Sequence, residues 1–253
     1  MRLVGRRRRG ELGVIRAQDL RPDSVPAEMF RTLRTNVQFS LIDVERAILI
    51  VTSPLASEGK TFVSAHLGVA FARAGKRVFV VDADFRHPTL HTSFGLKNDV
   101  GLAEVLLGEV RLGDALKRTQ VDDNALASSL YVLPTGKRPP NPAELLGSQR
   151  MSATLDALKE AAELVIVDCP PTIPVTDAGV LAAEGDAAIL VAASSLTRRA
   201  TLQRATEALR KSGANVIGVV LNFMADPDRY HYVYPYPASE NGGRSRKARS
   251  PSA

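Results

Sequence analysis

The sequence predicts an α/β protein with a doubly wound, mostly parallel sheet and helices on both faces. Short runs rich in Val and Ile, apolar on successive residues, indicate buried strands. Helical patterns stand between these runs. A strand followed by a helix, repeated along the chain, is typical of a parallel sheet covered on both faces. The 253 residues, 45% of them hydrophobic, are enough for one full-sized domain with short tails.

The individual elements follow from these patterns. Six runs are too short for helices and are predicted to be strands buried on both faces: 47–52, 78–81, 130–133, 164–167, 187–191 and 216–221. Five segments have a helical pattern: 26–40, 61–73, 102–107, 152–162 and 197–211. Gly75 and Gly213 follow two of these helices, at the position where glycine commonly ends a helix.

Composition divides the chain into a domain over 24–224 and two flexible ends, a basic segment over 1–23 and a tyrosine-rich, basic tail over 225–253. The net charge is +6, from 33 basic and 27 acidic residues. Five arginines lie in the first nine residues and four Lys or Arg in the last ten, so the part between them has a net charge of −3. The basic ends are predicted to stay solvated, with attraction to anionic lipid as the alternative.

Composition also excludes several classes of protein. A single cysteine, Cys169, excludes an intrachain disulfide and favours a reducing compartment. No apolar run approaches the roughly 20 residues that span a bilayer. No aromatic residues interleave with the basic runs, so nucleic acid is not an expected partner. We therefore expect a cytoplasmic protein.

The first candidate site segment is Ser-Glu-Gly-Lys-Thr at 57–61, directly after the first strand and at the start of a helix. Gly59 allows a phosphate to approach the backbone, Lys60 supplies a cation and Thr61 a metal-binding hydroxyl. Pro54 stands where the general P-loop pattern has its first glycine. The predicted ATP-binding residues of this segment are Ser57, Glu58, Gly59, Lys60, Thr61 and Phe62.

Acidic residues follow two other predicted strands. Asp82 and Asp84 lie at the carboxyl end of the second strand, where open α/β sheets bind their ligands. With a period of two they project to the same side and can face one Mg²⁺ and one phosphate. Capping of a turn is the alternative. Asp168 follows four apolar residues, the Walker B pattern, so Thr61 with Asp82 or Asp168 is the predicted Mg²⁺ site.

With Pro-Pro-Asn-Pro-Ala-Glu-Leu-Leu at 139–146, these segments resemble the bacterial tyrosine kinases of capsular and exopolysaccharide export. That family belongs to the deviant Walker, MinD-like branch of the P-loop ATPases, and the resemblance extends over about 28–236. It implies an ATP- and Mg²⁺-dependent protein-tyrosine kinase that regulates polysaccharide synthesis or export. The implied catalytic residues are Lys60, Asp82, Asp84 and Asp168.

Two further segments match this family. Glu28, Arg31 and Arg34 fall on adjacent turns of one helix face, and the resemblance implies that they form the subunit interface of a ring-shaped homo-oligomer. Four of the five tyrosines lie close together in the tail. The resemblance implies autophosphorylation of this cluster in trans, at Tyr230, Tyr232, Tyr234 and Tyr236.

Phe223 departs from the family pattern, and Leu55 argues against the main alternative function. Asn222 resembles the residue from which related ATPases contact adenine, although Phe223 stands where the family often has Arg. A ParA- or MinD-like ATPase switch is the main alternative function. Such proteins have a signature Lys early in the loop, where this chain has Leu55. A regulatory ATP-binding subunit without kinase activity is a third possibility.

The resemblance also implies partners. Kinases of this family usually need a transmembrane activator, either fused ahead of the kinase domain or encoded separately, whose cytoplasmic segment docks on the ATP site. Arg6 to Arg9 would then lie where a juxtamembrane positive cluster is expected. The expected location is the inner face of the cell membrane, through that partner, with protein tyrosines as substrates.

Overall fold

The computed structural model describes residue 17 and residues 20–121, 129–173 and 177–224. Within them, seven strands form one sheet in the order β3-β4-β2-β5-β1-β6-β7. Every neighbouring pair is parallel except β3 with β4. Apolar clusters pack helices against both faces, which confirms the predicted fold class.

The bounds of the elements are as follows. The strands are β1 (Ala47–Thr52), β2 (Arg77–Asp82), β3 (Lys117–Thr119), β4 (Ser129–Leu133), β5 (Leu164–Asp168), β6 (Ala187–Ala193) and β7 (Val216–Asn222). The helices are α1 (Val25–Ser40), α2 (Lys60–Arg73), α3 (Leu90–Phe94), α4 (Leu102–Leu107), α5 (Leu112–Ala115), α6 (Pro142–Leu146), α7 (Gln149–Ala161), α8 (Asp177–Glu184) and α9 (Arg199–Lys211). None of these helices combines the length and the apolarity that crossing a membrane requires.

Strand register brings the site segments together. The central strand β1 lies between β5 and β6 and leads into the loop before α2. In the β2–β5 pair, Asp82 is aligned with Asp168. Because parallel strands end at the same edge of a sheet, both aspartates and the loop after β1 lie at one carboxyl edge.

Helix α2 is packed more completely than the other helices. Its residues from Val63 to Ala72 are all buried, between the sheet and α1. A Cβ at Gly68 would come within 2.6 Å of a Val80 methyl group, so glycine at this position lets the helix approach β2 closely. This packing fixes the direction in which the amino end of α2 points.

The structure departs from the predictions in three ways. Strand β3 is short and polar and pairs antiparallel, so its residues carry no apolar signal. Helices α3, α5, α6 and α8 have eight residues or fewer and were not predicted. Strand β7 was predicted to be buried on both faces, which is wrong, because it is an edge strand in which Val219 and Leu221 are each 48% exposed.

The predicted start of the domain lies at a helix cap. Ser24 is the N-cap of α1, and its hydroxyl accepts a hydrogen bond from the Ala27 N–H. The basic segment and the tyrosine-rich tail lie outside the described residues, apart from a few positions of the former.

Candidate active site

The loop between β1 and α2 is shaped to receive an anion. Gly59 has a φ of +90° and Ser57 a φ of +64°, both in the left-handed region. Gly59 is the N-cap of α2, and no side chain caps this end of the helix. The first amides of α2 are therefore left for a ligand, and the helix dipole adds positive potential at the same point.

Glu58 stabilises this loop from the inside. Its side chain is buried, and it accepts hydrogen bonds from the Leu55 N–H at 2.6 Å and from the Thr197 hydroxyl. The Thr197 hydroxyl in turn accepts a hydrogen bond from the Ala193 N–H at the end of β6. Among the predicted ATP-binding residues, Glu58 therefore has its carboxylate committed to loop structure, and only its backbone remains for a nucleotide.

Lys60 lies at the centre of the charged groups. Its Nζ is 2.7 Å from Asp84 Oδ2 and 3.7 Å from Asp168 Oδ1. Burial disfavours the charged amine, but the carboxylates of Asp168, Asp84 and Asp82 outweigh burial and raise the pKa of Lys60 above its usual value. The structure thus brings all four predicted catalytic residues into one cluster, with a single cation among three carboxylates.

Asp82 and Asp84 both cap the turn that follows β2. Asp82 accepts hydrogen bonds from the Asp84 N–H at 3.1 Å and the Leu90 N–H at 3.0 Å. Asp84 accepts from the N–H groups of Arg86 and His87. The capping role, which the sequence analysis kept as an alternative, is therefore present together with the charge cluster.

The environments of these two carboxyl groups differ. Burial and the nearby Asp168 raise the pKa of Asp82 well above its usual range. Burial acts in the same direction on Asp84, but the Lys60 ammonium and two backbone N–H groups outweigh it and lower the pKa of Asp84. Asp84 is therefore the more firmly ionised of the two groups.

The donor set fits a magnesium ion that also binds phosphate. Asp168 Oδ2 is buried and has no hydrogen-bond partner among the described residues, while burial raises the pKa of this carboxyl group. The nearby Thr61 hydroxyl acts in the opposite direction and lowers the pKa of Asp168, and it accepts a hydrogen bond from the Thr89 hydroxyl at 3.2 Å. The described part of the chain holds no group of three or more His, Cys, Asp or Glu arranged as a metal site. Carboxylate and hydroxyl oxygens such as those of Asp168 and Thr61 are ligands that Mg²⁺ takes together with phosphates and water.

A hollow of about 260 Å³ opens beside the loop, between α1 and the end of β7. Phe62, Asn222 and Phe223 contribute to its lining. Asn222 Nδ2 donates to the Glu58 carbonyl at 3.0 Å, and a Cβ at Gly59 would overlap this amide. The predicted adenine-contacting residue therefore lies against the phosphate loop, at the edge of an apolar hollow.

The predicted interface residues do not share one environment. Glu28 and Arg31 form an ion pair on α1, with 2.7 Å between Arg31 Nε and Glu28 Oε2. Arg34 instead donates to the Ala70 carbonyl, in the last turn of α2, at 3.2 Å. Arg34 is thus engaged within its own chain. The four predicted phosphorylation sites, Tyr230, Tyr232, Tyr234 and Tyr236, lie outside the described residues.

The structure adds an ion pair that the sequence analysis did not identify. Arg86 bonds through Nε and Nη2 to Asp177, at 3.2 Å in each case, and Asp177 is buried. Arg86 follows Asp84 by two residues, so this pair connects the acidic segment to the start of α8. Because 91 residues separate the partners, no local pattern could have predicted the contact.

Comparison with known proteins agrees with this geometry. The CobQ/CobB/MinD/ParA nucleotide binding domain family matches residues 49–244. The chain is 38% identical over 201 residues to the tyrosine-protein kinase YwqD of Bacillus subtilis, covering 79% of this chain and 82% of that protein. It is 33% identical over 216 residues to the putative tyrosine-protein kinase CapB of Staphylococcus aureus, covering 85% and 92%.

A solved structure shows the same relationship. The kinase domain of the Escherichia coli tyrosine kinase ETK superposes with a TM-score of 0.78 at 31% identity, covering 91% of this chain and 89% of that one. The family match over residues 49–244 includes the phosphate loop and both acidic segments described above. The chain therefore belongs to the bacterial tyrosine-protein kinases, within the CobQ/CobB/MinD/ParA nucleotide-binding family.

Proposed function

We propose that the protein transfers the γ-phosphoryl group of ATP to tyrosine hydroxyls. The observation that carries this proposal is the convergence of Lys60, Asp82, Asp84 and Asp168 at the uncapped amino end of α2. In-line phosphoryl transfer requires positioning and charge neutralisation more than covalent assistance. A loop held by hydrogen bonds to Glu58 and Asn222, beside a buried cation, provides both.

Each residue has a distinct task in this proposal. Lys60 and the first amides of α2 hold the β- and γ-phosphates. Thr61, with Asp168 or Asp82, holds Mg²⁺ directly or through water, and the bound ion would neutralise charge on the phosphates. Three carboxylates against one ammonium leave the cluster short of positive charge, which favours binding of a divalent cation. Glu58 and Asn222 keep the loop in the shape that these contacts need.

Asp82 or Asp84 accepts the proton of the tyrosine hydroxyl. Asp84 is bound to Lys60 at 2.7 Å and has a lowered pKa, so it is the weaker base. Burial and Asp168 raise the pKa of Asp82, and a carboxylate with the higher pKa is the stronger base. We therefore favour Asp82 as the proton acceptor and Asp84 as the residue that positions Lys60.

The acceptor tyrosines proposed here are Tyr230, Tyr232, Tyr234 and Tyr236 of a neighbouring copy in a ring-shaped homo-oligomer. The side chains of Glu28 and Arg31 are 64% and 42% exposed, whereas Arg34 contacts its own α2. Each phosphate adds about −1.5 to −2 charges at pH 7, so a heavily phosphorylated tail should repel its neighbours and dissociate the ring. Equal sedimentation of the phosphorylated and unphosphorylated forms would contradict this step.

The wider role rests on the resemblance to kinases of polysaccharide export. We propose that a transmembrane activator docks beside the ATP site and brings the protein to the inner face of the membrane, where it regulates capsule or exopolysaccharide synthesis. Weak catalysis by the chain alone and stronger catalysis with the activator are expected. Full activity of the isolated chain at low concentration would contradict this.

The rival function is a ParA- or MinD-like ATPase switch. Its signature lysine would replace Leu55, whose backbone N–H here donates to Glu58. Phosphopeptide mapping after incubation with Mg-ATP separates the two functions. Tail phosphotyrosine that Lys60→Met abolishes, and that Lys159→Met preserves, supports the kinase. ATP hydrolysis without phosphotyrosine supports the switch.

A further inference from the structure

Helix α9 presents a strongly basic surface that the kinase mechanism does not use. The cations are all exposed, and they form what we term the α9 basic face: Arg198, Arg199, Arg204, Arg210 and Lys211. The same stretch contains one acid, Glu207. Ala205 and Leu209 are buried on the opposite side of the helix, so the charges cover its outward side.

These cations have no acidic partner among the residues that the structure describes. Across the described ranges, none of the five forms an ion pair, whereas Lys60, Lys76, Arg86 and Lys159 all do. Between Arg199 and Lys211 the helix rises by about 18 Å. Within the described part of the chain, the face is therefore an extended row of positive charge without ion pairs. The body of the chain, without its two basic ends, is net acidic.

The residue types on this face favour a lipid surface over a protein or a nucleic acid as the partner. Protein interfaces are anchored by Trp and Tyr as well as by Arg, in well-packed pockets, whereas this helix has exposed cations without any aromatic residue. Leu196, just before the helix, is 61% exposed. An exposed leucine beside arginines has no use on a phosphodiester backbone, but in a bilayer it can enter the boundary between headgroups and acyl chains.

We propose that the α9 basic face binds the anionic surface of a lipid bilayer directly, with Leu196 as a shallow apolar anchor. Arginine and lysine near such a surface each contribute to binding, and the attraction is screened by salt. This binding depends neither on kinase activity nor on an activator. Lys60→Met should therefore bind vesicles as the native chain does, even if the proposed kinase function fails.

Vesicle sedimentation of the full chain tests the proposal, using phosphatidylcholine vesicles with and without phosphatidylserine. The test variant replaces Arg199, Arg204, Arg210 and Lys211 by Gln. The matched control replaces four exposed cations outside α9 by Gln: Lys97, Arg111, Lys137 and Arg138. Both variants keep the basic ends and lose the same net charge, so their difference isolates α9.

We expect the test variant to lose at least about tenfold in binding to phosphatidylserine vesicles and the control to lose much less. Equal losses in the two variants would overturn the proposal, since overall charge would then suffice. Tighter binding of the native chain to duplex DNA than to the vesicles, lost in the test variant, would also overturn it. Circular dichroism and the melting temperature show whether each variant is folded, and the pair variants Arg199→Gln/Arg204→Gln and Arg210→Gln/Lys211→Gln replace the test variant if it is not.

The apolar anchor has a test of its own. Leu196→Ser should weaken vesicle binding without changing its salt dependence, because no charge is removed. Unchanged binding of Leu196→Ser would remove the reason for preferring lipid to a phosphodiester and overturn the proposal in its present form.

Discussion

The protein contains two Lys–Asp ion pairs of equal length in opposite settings. Lys60 lies 2.7 Å from Asp84 at the carboxyl edge of the sheet, and its side chain is 9% exposed. Lys159 lies 2.7 Å from Asp186 ahead of β6, and its side chain is 33% exposed. The first pair shares its surroundings with two more carboxylates. The second is one cation with one anion.

The two sites also differ in how many of their carboxylate oxygens accept hydrogen bonds. Asp186 accepts from Lys159 with both oxygens and from the Ile48 N–H with one of them. Asp168, beside Lys60, has one buried oxygen without a partner among the described residues. A balanced pair is suited to fastening two elements together. An unbalanced cluster is costly to bury and becomes favourable when a ligand supplies the missing charge.

The largest expected difference is in catalysis. Lys60→Met should lower the rate of tyrosine phosphorylation by at least about 10²–10³-fold, because a preorganised donor to the phosphates is lost. Lys159→Met should leave this rate unchanged. Initial rates with a tyrosine peptide and Mg-ATP measure both. Comparable losses in the two variants would show that the phosphorylation rate does not depend on the Lys60 pair in particular.

The second prediction concerns metal binding and stability together. Asp168→Asn should weaken Mg²⁺ binding by about 10–100-fold. In the metal-free protein it should raise the free energy of unfolding by about 1–3 kcal/mol, because one buried like charge is removed. Calorimetric titration and urea denaturation measure the two effects. A loss of stability in metal-free Asp168→Asn would show that the cluster is structural.

The third prediction is a pH dependence of the free energy of unfolding. The pKa of Asp82 is higher in the folded chain than its unfolded value of about 3.8, so the folded state binds the proton more tightly. Without Mg²⁺, the contribution of Asp82 should therefore become more favourable as the pH falls from neutrality through the raised pKa. Asp82→Asn should remove this slope, and Lys159→Met should retain it.

His66 changes the free energy of unfolding with pH in the opposite direction, so its contribution must be separated from that of Asp82. Burial beside Phe30 and Phe62 lowers the pKa of His66 to about 4. Its contribution is present above the unfolded pKa of 6.5 and is lost as the pH falls from 6.5 toward 4. Comparing denaturation of Asp82→Asn with the native chain at each pH cancels the His66 effect. Identical pH profiles would contradict the role given to Asp82.

The smallest expected effect is at the structural pair itself. Lys159→Met should cost about 1 kcal/mol of unfolding free energy or less, since a partly exposed pair is weakened by solvent. Asp186 would still accept from the Ile48 N–H. Chemical denaturation at low and high salt measures the loss, which should shrink as salt is added. A loss of unfolding free energy above about 3 kcal/mol would show that this pair behaves as a buried ion pair does.

Local patterns were enough to predict the sheet and the convergence of its charged residues. Apolar runs identified six of the seven described strands, and the rule that parallel strands end at one edge placed Asp82 beside Asp168. Strand β3 was not predicted because an antiparallel edge strand of Lys, Arg and Thr has no apolar signal. The exposure of β7 at the edge of the sheet was not predicted because its composition is that of a buried strand.

Contacts between distant segments could not be predicted. Glu58 bonds to Thr197 and Asn222 to the Glu58 carbonyl, across separations of 139 and 164 residues. The resemblance implies that Arg34 lies at a subunit interface, and its spacing on α1 gives no sign of the bond that it makes to the Ala70 carbonyl of α2. These partners depend on how α1, α2 and α9 pack, which a single segment does not encode.

The bond between Asn222 and the phosphate loop sets a lower limit on how short a working version of this enzyme can be. A truncation ending just before β7 would keep the phosphate loop, both acidic segments and most of the hydrophobic interior. It would nevertheless leave the Glu58 carbonyl without its donor and remove the Asn222 amide that lies against Gly59. Such a fragment should fold around the central strands and still fail to hold a nucleotide.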